Sequence, residues 1–269
     1  TEYKVVFFAM YLSRSYPGST VGQYIFHVKA RHYFWLGFTA FRQFETAFFR
    51  LPILLRVLNN RSPGPPRIKK PFCQNCGETF EGNIEDDFHC QNCLGLTHDF
   101  HFARASLKGL AMPFHLVHSL KYRRRFFIAR DLARLLFETW EKDPRYGELG
   151  KNTLLIPVPL NWRRQQWRQG NQAFELAREL SKLSGLPCLN SLKRVRSTRT
   201  QTKLNRKQRL SNLRGAFVVK RRQLEKLRGN NVILIDDVFT TGATAHECTR
   251  VLKHEGKAGK VAVLTLVRG

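Results

Sequence analysis

The chain has 269 residues and a mass of 31.3 kDa, and 42% of the residues are hydrophobic, so a sizeable core can be buried and wholesale disorder is excluded. Forty-six lysines and arginines against 20 acids give a formal charge of +26, which predicts affinity for polyanions such as nucleic acid, phosphorylated metabolites or anionic lipid. No run of about 18 uncharged apolar residues occurs, and no small-residue cleavage site follows the short apolar run at residues 5–12, so the sequence predicts neither a transmembrane helix nor a secretory signal.

The first 70 residues differ in composition from the rest and are interpreted as an aromatic-rich, basic extension and linker. They contain 15 of the 32 aromatic residues but only two acids. Between Phe34 and Leu51, apolar residues recur at intervals of three and four, which predicts a helix with an aromatic face. We favour packing of this helix on its own domain, while its interleaved arginines leave peripheral membrane association or nucleic-acid binding as alternatives. The Pro-, Gly- and Lys/Arg-rich run at residues 59–70 predicts the first domain boundary.

Two Cys-x2-Cys pairs follow the linker and predict a metal-binding module in residues 71–103. Cys73 and Cys76 form the first pair, and Cys90 and Cys93 form the second after 13 intervening residues. Four thiolates in a tetrahedral arrangement select zinc, and the common iron–sulfur spacings differ from this one. A closed four-thiolate site has no open coordination position, so its expected role is structural. Clustered cysteines are typical of a reducing compartment, which predicts a cytoplasmic protein.

Helical and strand patterns alternate in the remainder of the chain. Helices are predicted at residues 106–140, 171–183 and 244–254, and strands at residues 153–158, 216–219, 231–235 and 260–267. The strand at residues 231–235 is almost wholly apolar and is therefore expected to be buried. This alternation predicts an α/β domain over residues 104–269, in which a mainly parallel sheet is flanked by helices.

The segment from Val232 to Thr244 carries the strongest indication of function. An apolar strand leads to two adjacent carboxylates, Asp236 and Asp237, and ligands bind at the carboxyl ends of the strands in open α/β sheets. A threonine-rich loop then enters a helix, where backbone N–H groups, hydroxyls and Gly242 suit a phosphate dianion. An anion-binding loop beside two carboxylates that can accept hydrogen bonds from sugar hydroxyls fits a ribose 5-phosphate. An ordinary acidic turn is the alternative interpretation.

These thirteen residues resemble the complete phosphoribosyl pyrophosphate loop of the type I phosphoribosyltransferases, because strand, acids and loop match without a gap. The resemblance implies that Asp236 and Asp237 hold the ribose hydroxyls and support positive charge that develops on the ribose during catalysis. It also implies a Mg²⁺ ion that bridges the pyrophosphate and the ribose hydroxyls. The residues implied to hold the 5-phosphate are Phe239, Thr240, Thr241, Gly242, Ala243 and Thr244.

A four-cysteine knuckle in front of such a domain resembles the ComF family of competence proteins. Five further segments support this resemblance, which covers roughly residues 71–269 and leaves residues 1–60 without a counterpart. The segments are LVHSLKY at residues 116–122, IPVPL at 156–160, RQGNQA at 168–173, LKRVRSTRTQ at 192–201 and RLSNLRGAF at 209–217. The third segment lacks the aromatic residue that the family usually has between glycine and asparagine, which argues against a stacking role there.

The matching segments add candidate binding residues. In the resembling fold, the turn after the strand at residues 153–158 is the pyrophosphate loop, so the backbone amides of Leu160 and Asn161 are expected to face the pyrophosphate. The arginines in residues 163–168 could neutralise it or form an ordinary basic surface. Residues 193–214 take the place of the family's mobile loop, and their charge suits either closure on a pyrophosphate or binding of a nucleic-acid strand.

Two functions follow from the resemblance. In the first, the chain serves natural transformation: it binds phosphoribosyl pyrophosphate as ligand or regulator and handles incoming single-stranded DNA on its basic surface, together with other competence and DNA-uptake proteins. In the second, it is an active phosphoribosyltransferase of nucleotide metabolism that transfers phosphoribose to a base which the sequence does not identify. The fold alone does not establish turnover.

Overall fold

A computed structural model of the chain describes residues 65–80, 82, 88–94, 98–121, 128–161, 170–196 and 212–269. Three sequence predictions lie outside these residues: the aromatic-faced helix in the first 64 residues, nearly all of the arginine-rich segment before residue 170, and the part of the basic stretch at residues 197–211. Within the described ranges, no helix combines the length and the apolar character needed to cross a bilayer.

Strands and helices alternate along the described part of the chain. The strands are β1 (Ala103–Lys108), β2 (Thr153–Pro157), β3 (Leu192–Arg194), β4 (Phe217–Val219), β5 (Asn231–Phe239) and β6 (Val261–Arg268). The helices are α1 (Ala111–Lys121), α2 (Ala129–Lys142), α3 (Pro144–Gly147), α4 (Gln172–Ser184), α5 (Leu224–Leu227) and α6 (Ala243–His254), with a 3₁₀ turn at Arg221–Gln223 before α5.

The main sheet is wholly parallel, with the strand order β1-β6-β5-β2, and β3 pairs with β4 in a separate antiparallel ribbon. In the register of the main sheet, Pro157 at the end of β2 pairs with Ile235 of β5, and Asp236 pairs with Thr265 of β6. Parallel neighbours require crossover connections, which the helices supply. The predicted α/β fold, a mainly parallel sheet flanked by helices and preceded by four cysteines, is confirmed.

Helices cover both faces of the parallel sheet, so its central strands are buried on both sides. On one face, Ile233 and Ile235 of β5 belong to a core that includes residues of α1, α2 and α4. On the other face, Val232 and Leu234 belong to a core shared with α6 and the β3–β4 ribbon. Successive side chains of a strand point to opposite faces, so the apolar run of β5 contributes to both cores.

The predicted helix at residues 171–183 is confirmed as α4 within one residue at each end. Asn171 precedes its first residue, and the Asn171 side chain accepts a hydrogen bond from the Ala173 N–H at 3.1 Å. This side-chain cap satisfies one of the amides that the first turn of a helix leaves without a partner.

The strand β1 was not expected from the sequence, which predicts a helix from residue 106. Ala103–Lys108 reads ARASLK, without a β-branched residue, so its local propensity does not favour a strand. Its place beside β6 decides the conformation, and the buried Ser106 hydroxyl donates to the Leu135 carbonyl of α2 at 3.0 Å. The helical prediction for residues 106–108 is therefore wrong, because tertiary pairing overrides local propensity there.

Candidate functional site

The four cysteines predicted as metal ligands come together at one point. The sulfur atoms of Cys73, Cys76, Cys90 and Cys93 all lie within 4.8 Å of one another, and all four residues are free cysteines. The Sγ atoms of Cys76 and Cys90 are 3.5 Å apart, and the Cys90 N–H donates to Cys73 Sγ at 3.3 Å. Sulfur ligands about 2.3 Å from a tetrahedral zinc ion lie about 3.8 Å from one another, so this donor set fits zinc.

Packing four thiols together makes their ionisation interdependent. The hydrogen bond from Cys76 lowers the pKa of Cys73 to about 3, whereas this same bond and burial raise the pKa of Cys76. Burial raises the pKa of Cys93 to about 12. The cluster therefore resists full ionisation by itself, and a divalent cation is what stabilises four thiolates at such short distances.

Arg104 of β1 attaches the first cysteine pair to the parallel sheet. Its guanidinium donates to the carbonyls of Cys73 at 3.3 Å and Gln74 at 3.1 Å, and to the Asp143 carboxylate at 2.9 Å. Arg145 of α3 donates to the same carboxylate at 2.9 Å and to the Gln74 carbonyl at 3.0 Å. The Arg104 side chain is only 3% exposed, so these partners are what make its buried charge tolerable.

Asp236 and Asp237 lie within β5, because the strand continues to Phe239, four residues beyond its predicted end. Both are half-buried, and the Asp237 N–H donates to Asp236 Oδ1 at 2.8 Å. Alternation along the apolar run directs Asp236, like Val232 and Leu234, to the α6 face of the sheet. In agreement with this, burial and then the Asp236 carboxylate raise the pKa of the Cys248 thiol on α6. Asp236 is therefore an acid on the side of the sheet that α6 covers.

Gly242 shapes the loop between β5 and α6. Its φ of 77° is left-handed, and a Cβ at this position would lie 2.9 Å from Cζ of Phe239, so only glycine fits without strain. Gly242 is also the N-cap of α6, and its carbonyl accepts a hydrogen bond from the His246 N–H at 2.8 Å. No side chain caps this helix and no acid lies in its first turn, so its N-terminus has the electrostatic character of an anion site.

The other loop residues predicted to hold phosphate differ in exposure. Phe239 is buried against the loop, and Ala243 is buried at the start of α6. Thr240 is exposed, while Thr241 and Thr244 are half-buried, so the hydroxyl-bearing residues lie nearer to solvent than the apolar ones. The loop therefore has its threonines toward solvent and its apolar residues packed beneath them in the protein interior.

The turn after β2 lies beside the end of β5 that carries the acids. The Val158 N–H donates to the Ile235 carbonyl at 2.9 Å, and the Asn171 amide donates to the Val158 carbonyl at 2.9 Å. Asn161 is buried and Leu160 is half-buried. Strand pairing thus brings the predicted pyrophosphate turn and the predicted ribose-binding acids to the same edge of the sheet.

Arg268 and Glu78 connect the cysteine cluster to the loop, and the sequence patterns did not indicate either residue. A cavity of about 300 Å³ separates the two regions and is lined by Cys76, Glu78, Asn92, His98, Phe239, Thr240, Thr241, Arg268 and Gly269. The Arg268 guanidinium forms an ion pair with Glu78 and donates to the carbonyls of Phe239 and Thr240. A single cation at the end of the otherwise uncharged strand VAVLTLVR is the feature that could have drawn attention to Arg268.

Comparison with known proteins finds clear relatives, although no family model matches the chain. Competence protein F of Haemophilus influenzae is 35% identical over 69% of this chain and 80% of its own length. The DNA utilization protein YhgH of Escherichia coli K12 is 37% identical over 71% of this chain and 82% of its own length. Competence protein ComFC of Bacillus subtilis is 38% identical, over 44% of this chain and 45% of its own length.

Among the solved structures that match, two examples show a much lower level of sequence identity. The allosteric regulatory enzyme of purine biosynthesis has a TM-score of 0.34 and 17% identity, over 51% of this chain and 25% of its own. Adenine phosphoribosyltransferase from Leishmania tarentolae has a TM-score of 0.32 and 13% identity, over 56% of this chain and 74% of its own.

The fold and the site together define an α/β protein in which a four-cysteine knuckle is joined to a parallel sheet. Within this class of protein, the 35% identity with competence protein F over 80% of its length indicates one family. The chain belongs to the family of competence protein F, and the predicted resemblance to the ComF family is confirmed.

Proposed function

We propose that the chain acts in the uptake or use of DNA by binding phosphoribosyl pyrophosphate and single-stranded DNA. Its relatives carry the names competence protein and DNA utilization protein, which supports the general role. The main support for phosphoribosyl pyrophosphate as the ligand is that three features lie at one edge of the sheet. They are the acids of β5, the turn after β2 and the N-terminus of α6.

In the proposed complex, Asp236 and Asp237 accept hydrogen bonds from the ribose hydroxyls, and residues 239–244 hold the 5-phosphate at the N-terminus of α6. The backbone amides of Leu160 and Asn161 bind the pyrophosphate group. Mg²⁺, held by oxygen ligands of the sugar diphosphate and of these carboxylates, would neutralise part of the ligand's charge. The half-buried carboxylates suit this role, because they are fixed by the strand yet retain contact with solvent.

The antiparallel ribbon and the residues that follow it carry the cations proposed to bind DNA. Lys193 on β3 is exposed, as are Arg221 and Arg222 after β4. Burial lowers the pKa of Lys220, and the positive charges of Arg222 and Lys193 lower it further, so cations are crowded on this surface. A phosphate backbone would relieve this repulsion, and its condensed counterions would be released on binding.

The remaining parts of the proposal concern the metal, the organisation and the location of the protein. The cysteine cluster is proposed to hold one structural zinc ion, within a module at residues 71–103 that precedes a second domain at residues 104–269. Free cysteines support the cytoplasmic location that the sequence predicts. Other competence proteins are proposed as partners from the names of the relatives.

An active phosphoribosyltransferase is the second candidate function, and the two carboxylates beside the loop favour it. When pyrophosphate leaves the ribose, positive charge develops on the sugar, and nearby carboxylates stabilise that charge. Asp236 and Asp237 are at the position in the fold where this stabilisation is needed if the proposed ligand binds as described.

Calorimetric titration of phosphoribosyl pyrophosphate into the full-length, zinc-loaded chain tests the ligand. We expect saturable binding in the presence of Mg²⁺ and weaker binding without it. No measurable binding in either condition would overturn the proposed ligand, whereas the family membership would stand.

Pyrophosphate release, assayed with a panel of purine and pyrimidine bases, separates the two candidate functions. Release that depends on one base identifies an enzyme. Binding without release, with or without single-stranded DNA, identifies phosphoribosyl pyrophosphate as a ligand or regulator.

A further inference from the structure

Arg268 is a buried cation that contacts the cysteine cluster and the proposed phosphate loop at once. It is the last residue of β6, and its side chain is 6% exposed. Its Nη1 donates to the Phe239 carbonyl at 3.1 Å and the Thr240 carbonyl at 2.7 Å, and its Nη2 contacts the Glu78 carboxylate and, at 3.9 Å, Cys76 Sγ. One guanidinium therefore spans two regions that are far apart in sequence.

The contacts with the loop constrain its peptide planes. In a trans peptide the carbonyl and the following N–H point in opposite directions. The Phe239 carbonyl also accepts a hydrogen bond from the Gly269 N–H at 2.8 Å, so Arg268 reinforces a peptide that strand pairing already holds. At the Thr240 carbonyl the contact with Arg268 orients the peptide plane, and the Thr241 N–H then points away from the guanidinium. The Arg268 guanidinium also lies 5.1 Å above the Phe239 ring, the same ring that leaves no room for a side chain at Gly242.

The contacts with the knuckle hold the guanidinium in place. Glu78 lies two residues after Cys76, and its carbonyl accepts a hydrogen bond from the Cys73 N–H at 2.8 Å, so its backbone belongs to the turn that carries the first cysteine pair. A divalent ion bound by four thiolates leaves a net negative charge on the cluster, which attracts the adjacent guanidinium. The position of Arg268 thus depends on an ordered knuckle.

We propose that Arg268 is a positioning residue that couples metal occupancy of the cysteine cluster to the geometry of the phosphate loop. In the metal-loaded protein, Glu78 and the cluster hold the guanidinium against the two loop carbonyls. When the metal is lost, the knuckle loosens, the guanidinium is released, and the Thr240–Thr241 peptide loses its fixed orientation. The part of this inference that concerns ligand affinity rests on the proposed function; the part that concerns loop order does not.

The test compares Arg268→Gln with Arg268→Lys in the full-length chain. Glutamine removes both the positive charge and the planar set of guanidinium N–H donors. Lysine retains the positive charge, but its ammonium group cannot donate to the loop carbonyls and to Glu78 in the same geometry. The matched control is Arg178→Gln, because Arg178 also pairs with a carboxylate, Glu175 at 2.7 Å, but lies on α4, outside the loop and the knuckle. Circular dichroism establishes which variants are folded.

Hydrogen–deuterium exchange of residues 239–247, before and after removal of zinc by a chelator, reports loop order. In the wild type and in Arg178→Gln, we expect chelation to accelerate exchange by about tenfold or more, since local opening then needs less free energy. In Arg268→Gln, exchange should already be fast with zinc bound and should change little on chelation. Arg268→Lys should lie between these limits, and it decides the question if the glutamine variant does not fold.

Two results would overturn the coupling. One is wild-type protection of residues 239–247 in both zinc-loaded Arg268 variants. The other is an equally large response to chelation with and without Arg268, which would mean that the metal acts through another contact.

Titration of phosphoribosyl pyrophosphate into the same proteins distinguishes the two proposals. Both proposals are supported if the wild type binds, if Arg268→Gln binds at least about tenfold more weakly, and if Arg178→Gln binds like the wild type. Equal affinity in all variants contradicts the coupling and leaves the proposed ligand in place. Absence of binding to the wild type overturns the proposed ligand, and the exchange experiment still decides the role of Arg268.

Discussion

At the scale of single residues, Asp236 is the acid of β5 whose place on the α6 face of the sheet is supported by its effect on the pKa of Cys248. The Asp237 N–H donates to the Asp236 carboxylate, so the two residues are also linked to each other. We expect Asp236, on the face of α6 and its loop, to contribute more to ligand affinity than Asp237. Single Asp→Asn variants at the two positions measure this difference directly.

Changing both acids to asparagine is expected to weaken binding of phosphoribosyl pyrophosphate by about tenfold or more per residue. Unpaired hydroxyls in a partly buried site cost roughly 1–3 kcal/mol each, and about 1.4 kcal/mol corresponds to a factor of ten. Calorimetry gives the affinities and circular dichroism checks the fold. Asp131→Asn on α2 is the matched control. Equal affinity in the control and the double variant would show that Asp236 and Asp237 do not bind the ligand.

Gly242→Ala is expected to destabilise the loop for two separable reasons. The left-handed φ of 77° costs about 1–2 kcal/mol for a residue with a Cβ, and that Cβ would lie 2.9 Å from the Phe239 ring. Gly150 has a φ of 74° but nothing within 4 Å of an added Cβ, so Gly150→Ala isolates the backbone cost. Urea unfolding should show a larger loss of stability for Gly242→Ala, and a loss equal to that of Gly150→Ala would contradict the steric argument.

At the scale of elements, α6 joins the phosphate loop to the antiparallel ribbon through Glu247. This residue is 4% exposed, and its carboxylate accepts hydrogen bonds from the Gly215 N–H at 2.7 Å and from Arg250. Burial favours a higher pKa for Glu247, but the hydrogen bonds from Arg250 and Gly215 outweigh it, and the pKa is lowered. The hydrogen bond from Gly215 ties the turn before β4 to the helix that carries the loop.

The lowered pKa of Glu247 predicts a specific dependence of stability on pH. A carboxyl group with a lowered folded-state pKa contributes stability above its ordinary value of 4.5, and this contribution disappears as the pH falls through the folded-state value. Glu247→Gln should therefore lower the free energy of unfolding at pH 7 and flatten its decrease below pH 4.5. Urea unfolding across this range is the measurement. Glu225→Gln, whose side chain is 82% exposed, should behave like the wild type.

At the scale of the whole molecule, the metal is expected to stabilise more than the segment that binds it. Arg104 and Arg268 both reach from the parallel sheet to the knuckle, so loss of metal should be transmitted to the sheet. Replacing Cys73 and Cys76 with serine should abolish zinc binding and lower the melting temperature, whereas Cys188→Ser, outside the cluster, should retain the metal. Elemental analysis and thermal unfolding test this, and a reduced wild-type protein without zinc would contradict it.

The formal charge of +26 predicts single-stranded DNA binding that weakens steeply with salt. Changing Lys193, Arg221 and Arg222 to glutamine should lower the affinity and flatten the salt dependence, by about 0.7 in the logarithmic slope for each DNA phosphate that the variant no longer neutralises. Fluorescence anisotropy of a labelled oligonucleotide measures both quantities.

A variant with the same reduction of charge elsewhere provides the control for the DNA prediction. Lys142, Lys151 and Lys182 are residues in and after α2, α3 and α4, away from the ribbon. Their joint change to glutamine should reduce affinity less. Equal effects of the two triple variants would mean that net charge, and not the ribbon surface, binds DNA.

Parts of the fold with a local cause could be predicted from the sequence. The spacing of the cysteines predicted a cluster that the structure confirms, because each Cys-x2-Cys pair closes within a single turn. The end signals of α4 and α6 predicted both helices within one residue, and the apolar runs predicted β2, β5 and β6. The acids, the loop and the proline turn were likewise identified from contiguous segments. Their role in binding a ligand stays a prediction.

The sequence by itself thus determined the alternation of strands and helices, the cysteine cluster and the family. Only the tertiary structure decided that residues 106–108 belong to a strand, that β5 continues through both acids, and that Arg104 and Arg268 bridge the knuckle and the sheet. Arg268 and Cys76 are 192 residues apart, and no periodicity or motif connects them. A buried arginine depends on the carbonyls and carboxylates that other segments bring to it, and edge strands depend on their neighbours. These partners exist only after the chain has folded, so the link between the metal site and the loop could not be inferred before the structure was known.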